Sequence, residues 1–535
     1  MKVLNLRAMA FGLVPLVVAS ACAGTPAPSP TAAQQTAAPL VGGTVTVRLR
    51  AAVGPLEITA KQMNATANFV STALYDTLIA LDPDTAEPLP YLAKSWTQTP
   101  TSVTFTLRTD ATCADGTPVT ATVVKNSVDA FVKLSPAAAT TVGAGPFTTT
   151  ANDAAATVTV TSATPNTEMI FGFGQPGTGI VCPAGLVDLT QQPRKSFGSG
   201  PYVIDSFAEG DSFTVKLRPE WKWGPGNRTA QTPGFPEKIV YKSIDNDTTA
   251  ANLLLTGGLD VADVAGPDIT RLVAESSLAH RTQSNAVASP LLFNMQPGKT
   301  AADEAVREAI MTALDRDAYN KAAFSGLGKV PGAGFLVKGV RCYDDTLTSL
   351  IPAPSVAKAK QVLTAAGYVE AGGKFSKSGK PLTLSVLGQV STKSGVEYIA
   401  ATLDSVGFTT SQQVVDTATY STLVRQLSWD VVQLSIGGQT PTFGSYMPFL
   451  AGGKMVTEGG VNRAGIFDPV VDSSFASYLS ATSQADACKF MSAFQRRILE
   501  KHYVLPIVAG TIEYFGKNFA PYMTAAWQIV RTKAP

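Results

Sequence analysis

The feature that most constrains how this chain folds is a cysteine at position 22, which ends a short apolar segment. Lys2 and Arg7 precede that segment, and the small residues 19–21 (ASA) lie directly before Cys22. This layout is typical of a bacterial lipoprotein signal peptide, although Ala19 stands where leucine is usual. We therefore expect residues 1–21 to be a cleaved signal peptide, Cys22 to be lipidated, and the chain to fold outside the cytoplasm. An ordinary secretory signal cut nearby is the alternative.

The residues after Cys22 divide into a tether and a large folded part. Residues 22–41 consist mainly of Ala, Pro, Thr, Ser and Gln without apolar periodicity, which predicts a flexible tether. No later segment has the roughly 18 uninterrupted apolar residues of a membrane span, so the lipid is the expected membrane attachment. The remaining roughly 490 residues exceed the size of a single core and predict two or three structural domains.

Charge and motif content exclude several function classes. The net charge of +2 includes Lys2 and Arg7, so the cleaved chain carries no net side-chain charge and a nucleic-acid partner is not expected. The chain has two histidines and no CxxC or HExxH pattern, which gives no support for a zinc site. Neither G-x-S-x-G nor a Walker A motif occurs, so we expect no enzyme activity and no cofactor.

Local patterns predict the first elements of the fold. Residues 43–49 alternate apolar and polar side chains, as a half-buried strand does, and residues 103–108 form a second strand. Asp115 and Gly116 predict a turn, after which Thr120 is placed to cap a helix that runs to about Lys133.

Short motifs follow one another along nearly the whole chain after residue 42. The N-terminal set is YDTL at 75–78, LAKSW at 92–96, FTLR at 105–108 and DGTPVTA at 115–121. Later motifs are GSGPY at 198–202, PEWKWG at 219–224, LLTGGLDV at 254–261, FN at 293–294, VREAI at 306–310, ALDR at 313–316, AKAKQVLTAAGY at 357–368 and WDV at 429–431. This ordered set resembles the peptide/nickel class of solute-binding proteins that serve ABC importers, also called the family 5 or oligopeptide-binding class.

The resemblance implies an α/β architecture, the two-lobed periplasmic-binding-protein fold with an extra domain. A hinge would close its cleft over a ligand, and a membrane permease would read the closed form. Lobe I would combine residues 42–74, 195–285 and 505–535, domain II would span 75–194, and lobe II would span 286–504.

Most of the motifs also have a structural interpretation. Val306, Ile310, Ala313 and Leu314 share one helix face and are expected in the core, whereas Arg307 is expected at the surface or in a helix–helix pair. The helix of residues 357–368 is expected to end with Gly367 as its left-handed cap. Each of the five tryptophans can belong to either core or cleft.

Four cysteines remain after Cys22. An even number in an exported chain favours two disulfides over a metal site, with free buried thiols as the alternative. Three connectivities are possible. We favour Cys113 with Cys182 and Cys342 with Cys488, because each pair then lies within one implied domain.

The expected ligand site departs from the family in one respect. Peptide-binding members carry an aspartate after the "WD" strand that pairs with the peptide's amino terminus, but residues 435–446 (SIGGQTPTFGSY) contain no acid. A buried ammonium without a counter-charge is costly, so either another acid substitutes or the ligand lacks a free amine. Neutral hydrogen-bonding and aromatic groups favour a neutral or blocked solute. The side chains expected to contact it are Trp429, Gln439, Thr440, Phe443, Tyr446 and Asn294.

The expected function follows from these observations together. A monomer anchored by its lipid to the extracytoplasmic face of the cell membrane would deliver a peptide or peptide-like solute to an ABC permease. Two alternatives stay open: the same fold with a non-peptide solute such as a glycan, siderophore or metal chelate, and a regulatory envelope lipoprotein that does not transport.

Overall fold

The computed structural model describes residues 42–53, 56–59, 65–83, 85, 87–434, 447–451 and 453–532. The strands are β1 (Thr44–Leu49), β2 (Ile79–Leu81), β3 (Pro88–Pro90), β4 (Ala93–Thr99), β5 (Ser102–Leu107), β6 (Phe147–Asn152), β7 (Thr157–Ser162), β8 (Tyr202–Ala208), β9 (Ser212–Leu217), β10 (Lys238–Ser243), β11 (Val261–Val264), β12 (Leu278–Ser284), β13 (Ser289–Phe293), β14 (Val369–Ala371), β15 (Lys374–Lys377), β16 (Lys380–Pro381), β17 (Thr383–Gln389), β18 (Thr409–Val415), β19 (Val431–Gln433), β20 (Val504–Val508) and β21 (Thr511–Lys517).

The α-helices lie between these strands and on their faces. They are α1 (Ala65–Leu74), α2 (Ala121–Leu134), α3 (Ala138–Thr141), α4 (Met169–Gly172), α5 (Pro183–Val187), α6 (Asp247–Thr256), α7 (Asp268–Val273), α8 (Glu304–Ala313), α9 (Arg316–Phe324), α10 (Val356–Ala365), α11 (Lys393–Val406), α12 (Thr417–Arg425), α13 (Met447–Leu450), α14 (Pro469–Leu479) and α15 (Gln484–Glu500).

Three sheets organise the fold. The largest has seven strands in the order β12-β21-β11-β1-β10-β9-β8, and its central β1 runs parallel to both neighbours. A five-stranded sheet has the order β18-β17-β19-β13-β20, and a four-stranded antiparallel sheet has the order β4-β5-β7-β6. Two separate mixed sheets with helices agree with the predicted two-lobed α/β class, which the comparisons below confirm.

The chain crosses twice between the seven-stranded and five-stranded sheets. Residues 285–288 lead from β12 to β13, and residues 509–510 lead from β20 to β21. The backbone N–H of Asn285 donates to the carbonyl of Gly510 at 3.0 Å, so the two crossings lie side by side. A pair of adjacent crossings is the geometry of a hinge.

The expected local elements are present. β1 and β5 occupy the predicted strand positions, and Val103, Phe105 and Leu107 of β5 are buried on one face. The Thr120 side chain accepts a hydrogen bond from the N–H of Val123 at the start of α2, as predicted. Gly367, just beyond α10, has φ +85°, the left-handed conformation expected of a cap residue.

The core prediction for the VREAI helix is confirmed with one correction. Val306, Ile310, Ala313 and Leu314 of α8 and its C-cap are all buried. Arg307 is also buried, so of the two predicted positions, the surface or a helix–helix pair, the surface is wrong. Its guanidinium donates to the carbonyls of Ala301, Ala302 and His502 at 2.9 to 3.0 Å, and these acceptors compensate the desolvation of the charge.

Two disulfides occur in the favoured pairing. Cys113 is joined to Cys182 beside the four-stranded sheet, and Cys342 is joined to Cys488 of α15. In the part of the chain that the structure describes, no helix is both long and apolar enough to cross a membrane.

Candidate functional site

A cavity of about 630 Å³ opens where the two crossings meet the seven-stranded sheet. It has walls from α1, from the segment after β2, from residues 174–176 after α4, from the crossings, and from the C-terminal segment 523–528. Phe324 at the end of α9 and Ser289 of β13 contribute from the side of the five-stranded sheet. The cavity thus includes residues from both sides of the crossings, which is where hinge motion changes a cleft most.

The cavity wall is aromatic and neutral polar in character. Its polar side chains include Asn68 and Thr72, one turn apart on α1, together with Gln175, Ser289 and Gln528. The aromatic rings in the wall are Phe69, Tyr75, Tyr91, Phe324, Tyr514 and Trp527. Such a wall offers stacking surfaces and neutral hydrogen bonds, and its volume fits a small organic molecule or a short peptide.

A buried hydrogen-bonded cluster supports one side of the cavity. Asp76 has no exposed surface, and its carboxylate accepts from the hydroxyl of Tyr91 and, at 2.7 Å, from the indole Nε1 of Trp223. Arg218 lies over the Trp223 ring at 5.5 Å and donates to the carbonyls of Thr112 and Cys113. Asp76 of the YDTL motif and Trp223 of the PEWKWG motif meet in this cluster, so these two motifs fix the scaffold.

The environment of Asp76 perturbs its acidity. Burial raises the pKa of Asp76 from 3.8 to about 6, although the hydrogen bonds from Tyr91 and Trp223 and the charge of Arg218 act in the opposite direction. Burial also raises the pKa of Tyr91, and the nearby Asp76 carboxylate adds to that effect. Tyr91 therefore remains a hydrogen-bond donor to Asp76 at any physiological pH, and its ring is held against the cavity.

The predicted ligand contacts Trp429 and Asn294 are not in the cavity wall, and this placement corrects the prediction. Trp429 has no exposed surface and packs in the core beside the five-stranded sheet. The amide of Asn294 is buried and donates to the carbonyls of Leu427 and Trp429 at 3.0 and 2.8 Å. A side chain with no exposed surface cannot contact a solute. Trp429 and Asn294 therefore stabilise the packing and the backbone of the "WD" strand.

The other four predicted contacts are Gln439, Thr440, Phe443 and Tyr446. All four lie outside the described residues, as does Cys22. Among the residues that the structure does describe, no group of three or more His, Cys, Asp or Glu side chains could hold a metal ion.

The sequence reasoning missed most of the cavity wall. Of the five tryptophans, Trp527 lines the cavity, while Trp221, Trp223 and Trp429 are buried. The one local signal for the wall was the pair of polar residues, Asn68 and Thr72, one turn apart on α1.

A second, smaller cavity of about 220 Å³ lies between α4 and the α14–α15 corner. The hydroxyl of Tyr478 donates to the buried carboxylate of Glu168, and Arg341 lies 3.9 Å from the same carboxylate. The Arg341 guanidinium also lies over the ring of Phe171 at 4.7 Å, and the N–H of Thr167 donates to the carbonyl of Leu479 at 3.0 Å. These contacts join the region of the four-stranded sheet to that of the five-stranded sheet.

Comparison with known sequences identifies relatives. Residues 87–456, more than half of the chain, match the bacterial extracellular solute-binding proteins, family 5 Middle. The chain is 26% identical to the probable D,D-dipeptide-binding periplasmic protein DdpA of Escherichia coli over 270 residues, 48% of this chain and 49% of that protein. It is 24% identical to the oligopeptide-binding protein OppA of Mycobacterium tuberculosis over 438 residues, 77% of this chain and 70% of that one. The match thus spans about half the length of DdpA.

A solved structure has the same fold over nearly its whole length. A substrate-binding protein from Microbacterium hydrocarbonoxydans, complexed with 4-hydroxybenzoate hydrazide, superimposes with a TM-score of 0.73 at 26% identity, covering 91% of this chain and 99% of that one. Together with the ordered motifs and the two-sheet architecture, these matches establish that the chain belongs to the bacterial extracellular solute-binding proteins of family 5.

Proposed function

We propose that this chain is an extracytoplasmic solute-binding lipoprotein that delivers a peptide or peptide-like solute to an ABC permease. The observation that carries the proposal is the cavity at the two crossings, whose wall combines aromatic rings with neutral polar groups. Two relatives are named for dipeptide and oligopeptide binding, which supports a peptide-like solute. Membership of a family of binding proteins also supports the absence of catalysis.

The proposed mechanism is closure about the crossings. Lobe I (42–74, 195–285 and 505–535) with domain II (75–194) would form one half of a monomer, and lobe II (286–504) the other. A solute that contacts both halves binds the closed form more tightly and therefore shifts the population toward it. With these boundaries, the contacts of Glu168 with Tyr478 and Arg341 would lie between domain II and lobe II and would add to the stability of that form.

A non-peptide solute is the second candidate, and one observation favours it. The related Microbacterium hydrocarbonoxydans protein is complexed with 4-hydroxybenzoate hydrazide, a small aromatic molecule. The aromatic wall of the cavity here would suit a solute of that kind.

The proposal includes a lipid anchor at Cys22, and this anchor can be tested directly. We expect Cys22→Ala to move the protein from the membrane fraction to the soluble extracytoplasmic fraction, because the tether would lose its lipid. Uptake of the bound solute by cells should fall when the gene is deleted and recover on complementation. A Cys22→Ala protein that stays fully membrane-bound would refute the anchor. Undiminished uptake in the deletion strain would refute the transport function.

A further inference from the structure

The two disulfides differ in how far they are enclosed. Cys113 and Cys182 are each 1% exposed and belong to the core beside the four-stranded sheet. Cys342 and Cys488 are both partly exposed, and Cys342 lines the smaller cavity. Thiol–disulfide exchange begins when a thiolate attacks a disulfide sulfur, so its rate depends on access to that sulfur. The Cys342–Cys488 bond is therefore the one that a reductant in solution can reach without opening the core.

The loop of residues 341–346 is tied to one face of α15 at three points. The tied pairs are Cys342 with Cys488, Asp344 with Ser492, and Thr346 with Arg496. The three helix positions are four residues apart, so they lie in one stripe along α15. The disulfide is the covalent member of this set, and it holds the end of the loop that carries Arg341.

The backbone at Cys342 adds a second constraint. The N–H of Tyr343 donates to the carbonyl of Val340 at 3.1 Å, so Arg341 and Cys342 are the central residues of a tight turn. The φ of Cys342 is +63°, in the left-handed region that residues with a side chain rarely adopt. Such a conformation persists where the surrounding bonds hold it, and the disulfide is one of those bonds. When the S–S bond is broken, the backbone of the turn can relax and Arg341 moves with it.

Arg341 carries the consequence across the smaller cavity. Its guanidinium lies over the ring of Phe171 at 4.7 Å and lies 3.9 Å from the carboxylate of Glu168. Both of these residues belong to the region of the four-stranded sheet. Movement of Arg341 would remove its two contacts, whereas the hydrogen bond from Thr167 to Leu479 would remain. The contact between the two regions would thus be loosened without being lost.

We propose that the Cys342–Cys488 disulfide is a redox modification site at which a dithiol reductant acts, and that its reduction loosens the contact between the regions of the four-stranded and five-stranded sheets. A thiolate of the dithiol attacks one sulfur of the pair, the S–S bond of the protein breaks, and a mixed disulfide forms. The second thiolate of the reductant then attacks this mixed disulfide. The protein pair gains two electrons and two protons, and the reductant is oxidised to a disulfide. This site is separate from the larger cavity, so it does not depend on which solute binds there.

The first test is selective reduction. The purified full chain is treated with dithiothreitol near neutral pH without denaturant, free thiols are alkylated at intervals, and the modified cysteines are located by peptide mapping. We expect the partly exposed pair, Cys342 and Cys488, to be alkylated at least about 10-fold faster than the enclosed pair, because the enclosed pair is reached through opening of the core. Equal rates for the two pairs, faster reduction of the enclosed pair, or no reduction of either pair would overturn the inference.

The second test follows the contact by hydrogen exchange at the amide of Thr167, which donates to the carbonyl of Leu479 at 3.0 Å. Reduction of the partly exposed pair should accelerate this exchange about 3-fold to 10-fold, because the contacts of one arginine with a ring and a carboxylate contribute on that order. The double variant Cys342→Ser, Cys488→Ser should exchange at the faster rate without reductant and should not respond to it. Arg341→Gln, with the disulfide intact, should show the same acceleration.

The control is exchange at the amide of Lys329, which donates to the carbonyl of Ala509 at 2.9 Å within the region of the five-stranded sheet. This exchange should be the same before and after reduction. Unchanged exchange at Thr167 in selectively reduced protein would refute the inference. Equal acceleration at Thr167 and Lys329 would also refute it, because it would indicate general unfolding. If the double variant does not fold, the selectively reduced wild type and Arg341→Gln decide.

Discussion

The two cavities described above differ in what the charged groups at their walls do. At the smaller cavity the wall residues Tyr478 and Arg341 contact the buried carboxylate of Glu168, and Arg341 is stacked on Phe171. Among the described residues that line the larger cavity, Asp82 is the one acid, and the others are aromatic, apolar or neutral polar. A charge that already has partners inside the protein stabilises contact between its parts. A cavity lined with hydrogen-bonding and aromatic groups is instead suited to hold a solute.

The short helix α4 and the residues directly after it contribute to the walls of both cavities. Phe171 of α4 lines the smaller cavity, and residues 174–176, directly after α4, line the larger one. A change in the contact between the regions of the four-stranded and five-stranded sheets would therefore move part of the wall of the larger cavity.

The largest expected effect is on the pH dependence of stability, and it comes from Asp76 in the buried cluster beside the larger cavity. Because burial raises the pKa of Asp76 from 3.8 to about 6, the native state holds this proton more tightly than the unfolded chain does. The stability from the protonated form is fully present below pH 3.8 and is lost as the pH rises through about 6. Asp76→Asn, compared with the wild type, should thus gain about 3 kcal/mol of unfolding free energy between pH 3.8 and 7.

Denaturant unfolding of both proteins at several pH values measures this difference. Asp188→Asn is the control, and its stability difference from the wild type should change with pH in the opposite direction. The reason is that hydrogen bonds from Thr190 lower the pKa of Asp188. That variant should lose stability relative to the wild type as the pH rises. A difference between Asp76→Asn and the wild type that does not change with pH would contradict the account of the buried cluster.

A smaller effect is expected at the second cavity. Tyr478→Phe removes the hydroxyl donor to Glu168 and should weaken the contact between the regions of the four-stranded and five-stranded sheets by about 1 to 2 kcal/mol, because a buried acceptor loses a partner. Hydrogen exchange at the amide of Thr167, which donates to Leu479, should accelerate accordingly.

Tyr368→Phe is the matched control for that variant. Tyr368 donates to the carboxylate of Asp303 at 2.9 Å, within the lobe of the five-stranded sheet. This change should leave exchange at Thr167 as it is in the wild type. Equal protection of Thr167 in both variants would show that the Glu168–Tyr478 bond does not hold the two regions together.

The sequence predicted the scaffold better than the site, for a physical reason. A buried polar cluster accepts few side chains, so Asp76 and Trp223 occur in short ordered motifs that identify the fold. The cavity wall instead collects single residues from segments far apart in the chain, and no motif marks them.

The errors have the same origin. Asn294 and Trp429 have the composition of a binding site, but their polar atoms are directed to backbone carbonyls in the core. Arg307 likewise satisfies carbonyls inside the lobe. Sequence alone does not distinguish a buried polar group with internal partners from one that faces a ligand, because the same side-chain chemistry serves both.

The most direct test of the central claim, that the larger cavity is the solute site, is affinity capture. The protein is incubated with small molecules from the growth medium, separated again by gel filtration, and its bound molecules are identified by mass spectrometry. Gln175→Trp places a large ring in the cavity wall, and Val187→Trp places the same ring at an 87% exposed position as control. The account predicts a solute retained by the wild type and Val187→Trp and lost from Gln175→Trp. Equal retention by Gln175→Trp, or no retained solute in any of the three proteins, would contradict it.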